Sequence, residues 1–210
     1  MNFGEYGAQR SALNQLDLSS VRKIFDTIES RDSTLSDHFR MFEDLVSRAD
    51  YFLQKSDFES AAAFGQMAAD YAWRNHAGLF VSPRLEGLMW RVAEKAIRPS
   101  IHSTRRPPPN RSVKRVLHVI TAASGVGGHA RLAWRWIKND LKRVHSVFLT
   151  RQGGLEVPKV LMDALTLSGG RLYQVDSNIG GLIYRAKTLQ QLASRYDAIV
   201  LHIHPYDVVP

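Results

Sequence analysis

The sequence predicts an α/β fold in two parts: an all-α helical region, then a parallel sheet with crossover helices. Three observations carry this expectation. A proline-rich stretch, Ser100 to Ser112, divides the 210 residues into unlike halves. Before it, apolar residues recur at helical spacing. After it, short apolar runs alternate with amphipathic segments. The expected organisation is a helical region over 1–99, a basic proline-rich linker over 100–112, and a sheet domain over 113–210.

In the first half, Val21, Ile24, Phe25 and Ile28 form one stripe behind Ser19-Ser20, a helix-capping pair. Phe39, Phe42, Leu45, Val46, Ala49, Phe52 and Leu53 form a second stripe. Lys55-Ser56-Asp57 is a short break. Phe58, Ala61, Ala62, Ala68, Ala69 and Ala72 then line a small-residue face suited to close helix packing. Ser82-Pro83 opens a further helix, with proline at a first-turn position that needs no amide hydrogen. Leu45, Ala49, Phe52, Phe58, Ala61 and Ala68 approach the spacing of one tetratricopeptide-type hairpin, with Gly65 standing where an aromatic is preferred. A single repeat is too few for a solenoid, so a small helical bundle is expected.

The linker contains Pro107-Pro108-Pro109, which fixes backbone φ and removes three donors. Beyond it, Arg115 to Thr121 reads as a strand buried on both faces. Gly127 to Leu141 reads as a helix, Val144 to Thr150 as a strand, and Val157 to Leu167 as a helix stopped by Gly169-Gly170. Arg171 to Val175, Leu182 to Ser194 and Ala198 to His204 continue as strand, helix and strand. Such alternation predicts right-handed crossovers in a Rossmann-like parallel sheet.

The absence of cysteine excludes a disulfide framework, a thiolate zinc site and a cysteine nucleophile. No secretory leader pattern opens the sequence, and no apolar run reaches the roughly 18 residues of a membrane span. The expected location is the cytoplasm, at or near the inner face of the membrane. The net charge is +8, and from Lys95 to Asn139 there are ten Lys and Arg with no Asp or Glu. Charge runs alone are weak evidence for nucleic acid, and no nucleic-acid motif accompanies this one. Attraction to anionic lipid headgroups is the favoured consequence.

The residues Gly125-Val126-Gly127-Gly128-His129-Ala130 fit G-x-G-x-x-A, between the first strand and its helix. A loop there can bring an anion to open backbone and a helix N-terminus. A tight turn with no ligand is the plain alternative. The dinucleotide fingerprint also asks for an acid about 20 residues on, at the end of the second strand. That strand ends in Leu149-Thr150-Arg151-Gln152, with no acid. NAD binding therefore fails the test, and NADP survives only through Arg151.

Two stretches bear a closer resemblance. Val116 to Ile137 has strand, small-residue loop with a Gly-Gly pair, and helix. Asp197 to His204 runs as Asp, three apolar residues, His202, Ile203, His204. In this order they resemble the N-terminal half of GT-B glycosyltransferases, in particular the retaining family 4, over about the last hundred residues. The resemblance implies transfer of a sugar from a nucleotide-sugar to a hydroxyl acceptor, a glycan or lipid-linked group, with retention and without a bound metal or other cofactor. It implies that Gly127 and Gly128 face the cleft and that His204 is the catalytic-cleft histidine. Alternation puts His202 on the same strand face as His204. His129, on the first helical turn, is a further candidate for contact with an anion, and Asp176 lies at the same sheet edge. A hydrogen-bonded edge pair is the alternative for the two histidines. No metal site is expected, since no further ligand stands at suggestive spacing.

The family holds its donor mainly through a second Rossmann-like domain, which these residues do not contain. The sheet is thus expected to be truncated, an inactive part of a longer enzyme. An NADP-dependent oxidoreductase and a helical protein-interaction module are the competing functions.

Overall fold

The computed structural model describes residues 18–97, 113–125, 127–175 and 180–210, with side chains from Thr34 onward. The linker, Asp176 and the side chains of the Val21–Ile28 stripe lie outside the described residues.

The helical region begins with α1, Leu18–Gln54, a single helix of 37 residues. This corrects the expectation of two helices. Between the two stripes runs Glu29-Ser30-Arg31-Asp32-Ser33-Thr34, which contains neither proline nor glycine, so nothing interrupts the backbone ladder. Ser19 and Ser20 accordingly lie inside the first turn of α1. The break at Lys55 to Asp57 is real, with Ser56 at a φ of 58°. Asp57 then caps α2, Phe58–Asn75, accepting from Ser60 N–H at 3.1 Å. So short a connection forces α2 back along α1. Ser82 caps α3, Pro83–Ala96, accepting from Leu85 N–H at 3.2 Å.

Phe42, Val46, Ala49 and Leu53 of α1 bury against Ala61, Ala62 and Ala68 of α2 and Leu88 and Val92 of α3. At Gly65 a Cβ would strike the Met89 sulfur of α3, so a side chain there would require Met89 to move aside.

The sheet domain alternates β1 (Arg115–Ile120), α4 (Gly128–Asn139), β2 (Val144–Leu149), α5 (Lys159–Ser168), β3 (Leu172–Gln174), α6 (Leu182–Ala193) and β4 (Ala198–His202). All four strands are parallel, in the order β3-β2-β1-β4. The expected Rossmann-like α/β sheet is thus present, with strands one or two residues shorter than the apolar runs suggest. Gly169, at a φ of 72°, ends α5 as expected. Gly170 follows because a Cβ there would collide with the backbone carbonyl of His145.

The chain moves one way from β1 through β2 to β3, then returns to the other side of β1 with β4. The change of direction lies between β1 and β4, where sheets of this type leave a crevice at the carboxyl ends. One sheet face packs Ile120, Val147 and Leu149 against Ala130, Ala133 and Ile137 of α4 and Leu161 and Leu165 of α5. The opposite face packs Leu117, Val119 and Phe148 against Leu189 and Leu192 of α6. There Ile199 and Leu201 of β4 remain about half exposed, beside a groove of about 580 Å³ that is lined, among the described residues, by mainly apolar side chains and Glu94.

The two halves meet. Glu59 of α2 accepts from the backbone N–H groups of Leu182 and Ile183, the latter at 3.1 Å, at the start of α6. A carboxylate suits those unpaired first-turn donors and the positive end of the helix.

Candidate functional site

The crevice at the ends of β1 and β4 gathers several predicted residues. Thr121 follows β1, and its hydroxyl donates to Asp207 Oδ2 at 2.7 Å. The same hydroxyl oxygen accepts from His204 N–H at 2.9 Å. Thr150, after β2, also donates to Asp207. One carboxylate therefore ties together the ends of β1 and β2 and the segment after β4.

This tie sets the direction of the residues beyond β4. The His204 ring stacks on Tyr206, with centroids 5.0 Å apart. Trp73 of α2 meets both rings edge-on, at 5.7 Å and 5.8 Å. His129, on the first turn of α4, approaches His204 at 5.3 Å. His129 and His204 thus converge, and the helical region supplies one wall. A mostly apolar cavity of about 400 Å³ adjoins this wall, lined by Phe42, Trp73, Phe80 and Pro205 among others.

The glycine loop opens beside these rings. Its fixed point is Gln152, which is buried and grips Ala123 twice. Gln152 Nε2 donates to Ala123 O at 2.7 Å, and Ala123 N–H donates to Gln152 Oε1 at 2.8 Å. The end of β2, where a dinucleotide site would keep its acid, is occupied by a residue that holds the loop. Gly127 is the N-cap of α4, with extended φ and no side-chain cap. Left-handed φ occurs at Gly78, Gly153, Gly169 and Gly180, not at Gly125, Gly127 or Gly128. A Cβ at Gly125 or Gly128 would meet open space. Neither a tight turn nor packing accounts for those two glycines. What they provide is uncovered backbone at a helix N-terminus.

His202 behaves differently from His204. It is 5% exposed and turned inward beneath α4. Its Nε2 lies 3.0 Å from Nδ1 of His118, whose Nε2 lies 2.9 Å from Nδ1 of His145. His118 and His145 are fully buried. His145 stands opposite Val116, His118 is two residues along β1, and His202 stands opposite Ile120. The three imidazoles therefore cross the sheet diagonally, from its amino edge to its carboxyl edge. At the far end, His145 Nε2 is 3.3 Å from Asp140 Oδ2, within ion-pair distance but not aligned as a good hydrogen bond. Trp136 of α4 closes the row from outside, edge-on to His118 at 5.5 Å and to His202 at 6.4 Å.

Burial disfavours the charged form of all three rings. Desolvation first, then the nearby His202 and His145, push His118 down to about 3. Desolvation lowers His145, with the Asp140 charge acting against it. Desolvation, helped by His129, lowers His202. The row is neutral near pH 7. Desolvation works to raise Asp140, but the hydrogen bond and charge of Arg143 outweigh it and hold the carboxyl below its ordinary range.

Sequence reasoning names His129, His202 and His204 but misses His118, His145, Trp73, Tyr206 and Asp207. A signal was present: each of β1, β2 and β4 carries a histidine within an apolar run. Strand order and register make those three neighbours, and apolar runs encode neither.

Among the described residues, no helix is long and apolar enough to cross a membrane, and no group of three acidic or histidine ligands is arranged to hold a metal ion. No family model, no curated protein and no solved structure matches this chain, so its chemistry is read from the site itself.

Proposed function

We propose that this chain is the acceptor-side half of a glycosyltransferase, moving a sugar from a nucleotide-sugar to a hydroxyl group. The observation that carries the reading is the open backbone of Gly125 and Gly128 beside the converging rings of His129 and His204. The amides at the start of α4 suit a phosphate or a sugar hydroxyl. Trp73, half exposed and edge-on to His204 and Tyr206, gives the crevice an aromatic wall against which a sugar can pack. His204 is assigned to the reacting oxygens, with Gly127, Gly128 and His129 as binding residues. The second half of the donor site would come from another domain, since one wall alone cannot orient two reactants. Retention, independence from metal and a lipid-linked acceptor belong to the same proposal.

An anionic membrane surface is the proposed setting. The outward stripe of α4 carries Arg131, Leu132, Arg135 and Trp136 and no acid.

The test is transfer by the natural protein that carries this chain, assayed with a panel of nucleotide-sugars and saccharide acceptors. His204→Ala is expected to lower turnover at least about 100-fold with an unchanged circular dichroism spectrum. Near-normal turnover removes His204 from the chemistry. A fluorescence change on NADPH titration, abolished by Gly127→Asp, would replace the transferase with an oxidoreductase. The grip of Gln152 on Ala123, where a ribose-binding acid would stand, weighs against that rival. The contacts of Glu59 and Trp73 with the sheet domain weigh against an independent helical interaction module.

A further inference from the structure

We propose that Asp140, His145, His118 and His202 form a reversible proton relay that links the carboxyl-edge crevice to the opposite edge of the sheet. Two nitrogen pairs, at 2.9 Å and 3.0 Å, join the three rings into one row. A neutral imidazole has one N–H and one lone pair. In an unbroken row of three, one choice of tautomer fixes the others. Either every ring carries its proton on Nε2, or every ring carries it on Nδ1.

Asp140 decides between these two sets. In the Nε2–H set, His145 directs an N–H towards the carboxylate, 3.3 Å away. In the Nδ1–H set it directs a lone pair at a negative charge. The Nε2–H set wins, although the approach to Asp140 is oblique, because only that set has attraction at this end. The consequence appears at the other end of the row. His202 must donate through Nε2 to His118, which leaves its Nδ1 as a lone pair. That nitrogen takes no part in the pairing with His118, which uses Nε2. His129, whose ring meets that of His204, is felt electrostatically at His202.

Proton movement follows with its balance complete. A proton arrives on His202 Nδ1, and His202 passes its Nε2 proton to His118 Nδ1. His118 passes its Nε2 proton to His145 Nδ1, and His145 passes its Nε2 proton to the Asp140 carboxylate. Asp140 then releases it to water, its side chain being 15% exposed. No heavy-atom bond changes, no electron is gained or lost, and the row is left in the Nδ1–H set; the reverse passage, a proton taken up through Asp140 and one given back from His202 Nδ1, restores the Nε2–H set. Trp136 keeps water off the two rings nearest the crevice, so protons travel along the row rather than through solvent. On the transferase reading the proton is the one lost by the acceptor hydroxyl, and that use rests on the reading. The relay itself does not.

His118, His145 and Asp140 touch no substrate in this scheme and are positioning residues. The test is long-range proton–nitrogen NMR of the whole chain, labelled with ¹⁵N-histidine, near neutral pH. In the wild type, His118, His145 and His202 are all expected as Nε2–H tautomers. Asp140→Lys places a donor opposite His145 and is expected to convert His202 to Nδ1–H from the far side of two intervening rings. Asp140→Glu restores the wild-type pattern. His118→Phe breaks the row, and adding Asp140→Lys to it then leaves His202 unchanged. An Nδ1–H tautomer at any of the three in the wild type overturns the relay. So does a His202 that keeps Nε2–H in Asp140→Lys, a variant outside the buried row that decides the question even where His118→Phe does not fold. The readout needs no sugar, so failure of the relay and failure of the transferase reading are distinct results.

Discussion

The two halves of the molecule bury different things. Among the described residues, the helical half buries apolar side chains such as Phe42, Val46 and Leu53, with no buried polar side chain. The sheet half buries His118, Thr121, His145, Ser146, Thr150, Gln152 and His202. A dry core is cheap to hold together and does little else. A core with seven polar side chains must pair nearly every donor and acceptor, because an unpaired buried polar group costs about 1–3 kcal/mol. Those pairings converge on the carboxyl edge: Asp207 joins two threonines, Gln152 grips the glycine loop, and the histidine row ends beside His129. The difference separates a dry core from a hydrogen-bonded one.

The contrast can be tested by cutting each core in turn. The largest effect is expected in the dry one. Phe42, 1% exposed, is a large side chain at its centre. Phe42→Ala should destabilise the protein by about 3–5 kcal/mol, read from urea unfolding. A loss below about 1 kcal/mol would mean that the helical half is not a cooperative core.

In the polar core the informative cut keeps the volume. His118→Phe removes two ring nitrogens and leaves Nδ1 of His145 and Nε2 of His202 buried without their partner. A loss of about 2–3 kcal/mol is expected in the same assay. A neutral or stabilising result would show that the row is not a hydrogen-bonded unit.

Acid should act on the buried histidines of the sheet half. The folded pKa of His118 lies near 3, below the ordinary 6.5. Between those values the unfolded chain binds a proton that the folded chain refuses. Stability is therefore complete above about pH 6.5 and falls as the pH drops towards 3. His145 and His202 shift in the same direction. Each histidine adds at most about 1.4 kcal/mol per pH unit to the slope. His118→Phe should flatten the wild-type slope by about that amount, and an equal slope in the two proteins would refute the assignment.

The smallest expected effect returns to the helical half. Ser82→Ala removes the cap on Leu85 N–H and should cost about 1 kcal/mol.

Much of this contrast is legible in the sequence, and the reasons differ by region. The strands of the sheet half show as apolar runs, and the breaks at Lys55 to Asp57, Ser82-Pro83 and Gly169-Gly170 each work through local backbone chemistry. The fusion of two stripes into α1 is missed because a polar stretch resembles a loop when it lacks only apolar residues. The glycine loop is legible as a loop; that Gly125 and Gly128 face open space is not. The histidine row is illegible for a deeper reason. His118 and His202 are 84 residues apart, and only the order β2-β1-β4 and a two-residue stagger bring the rings together.

Trp136 lends the molecule an optical handle. Its indole stands against two buried imidazoles, and an imidazolium is a stronger quencher of indole emission than a neutral imidazole. With the other three tryptophans replaced by phenylalanine, the brightness of this one side chain would report, in real time and without a label, whether a positive charge has entered the row behind it.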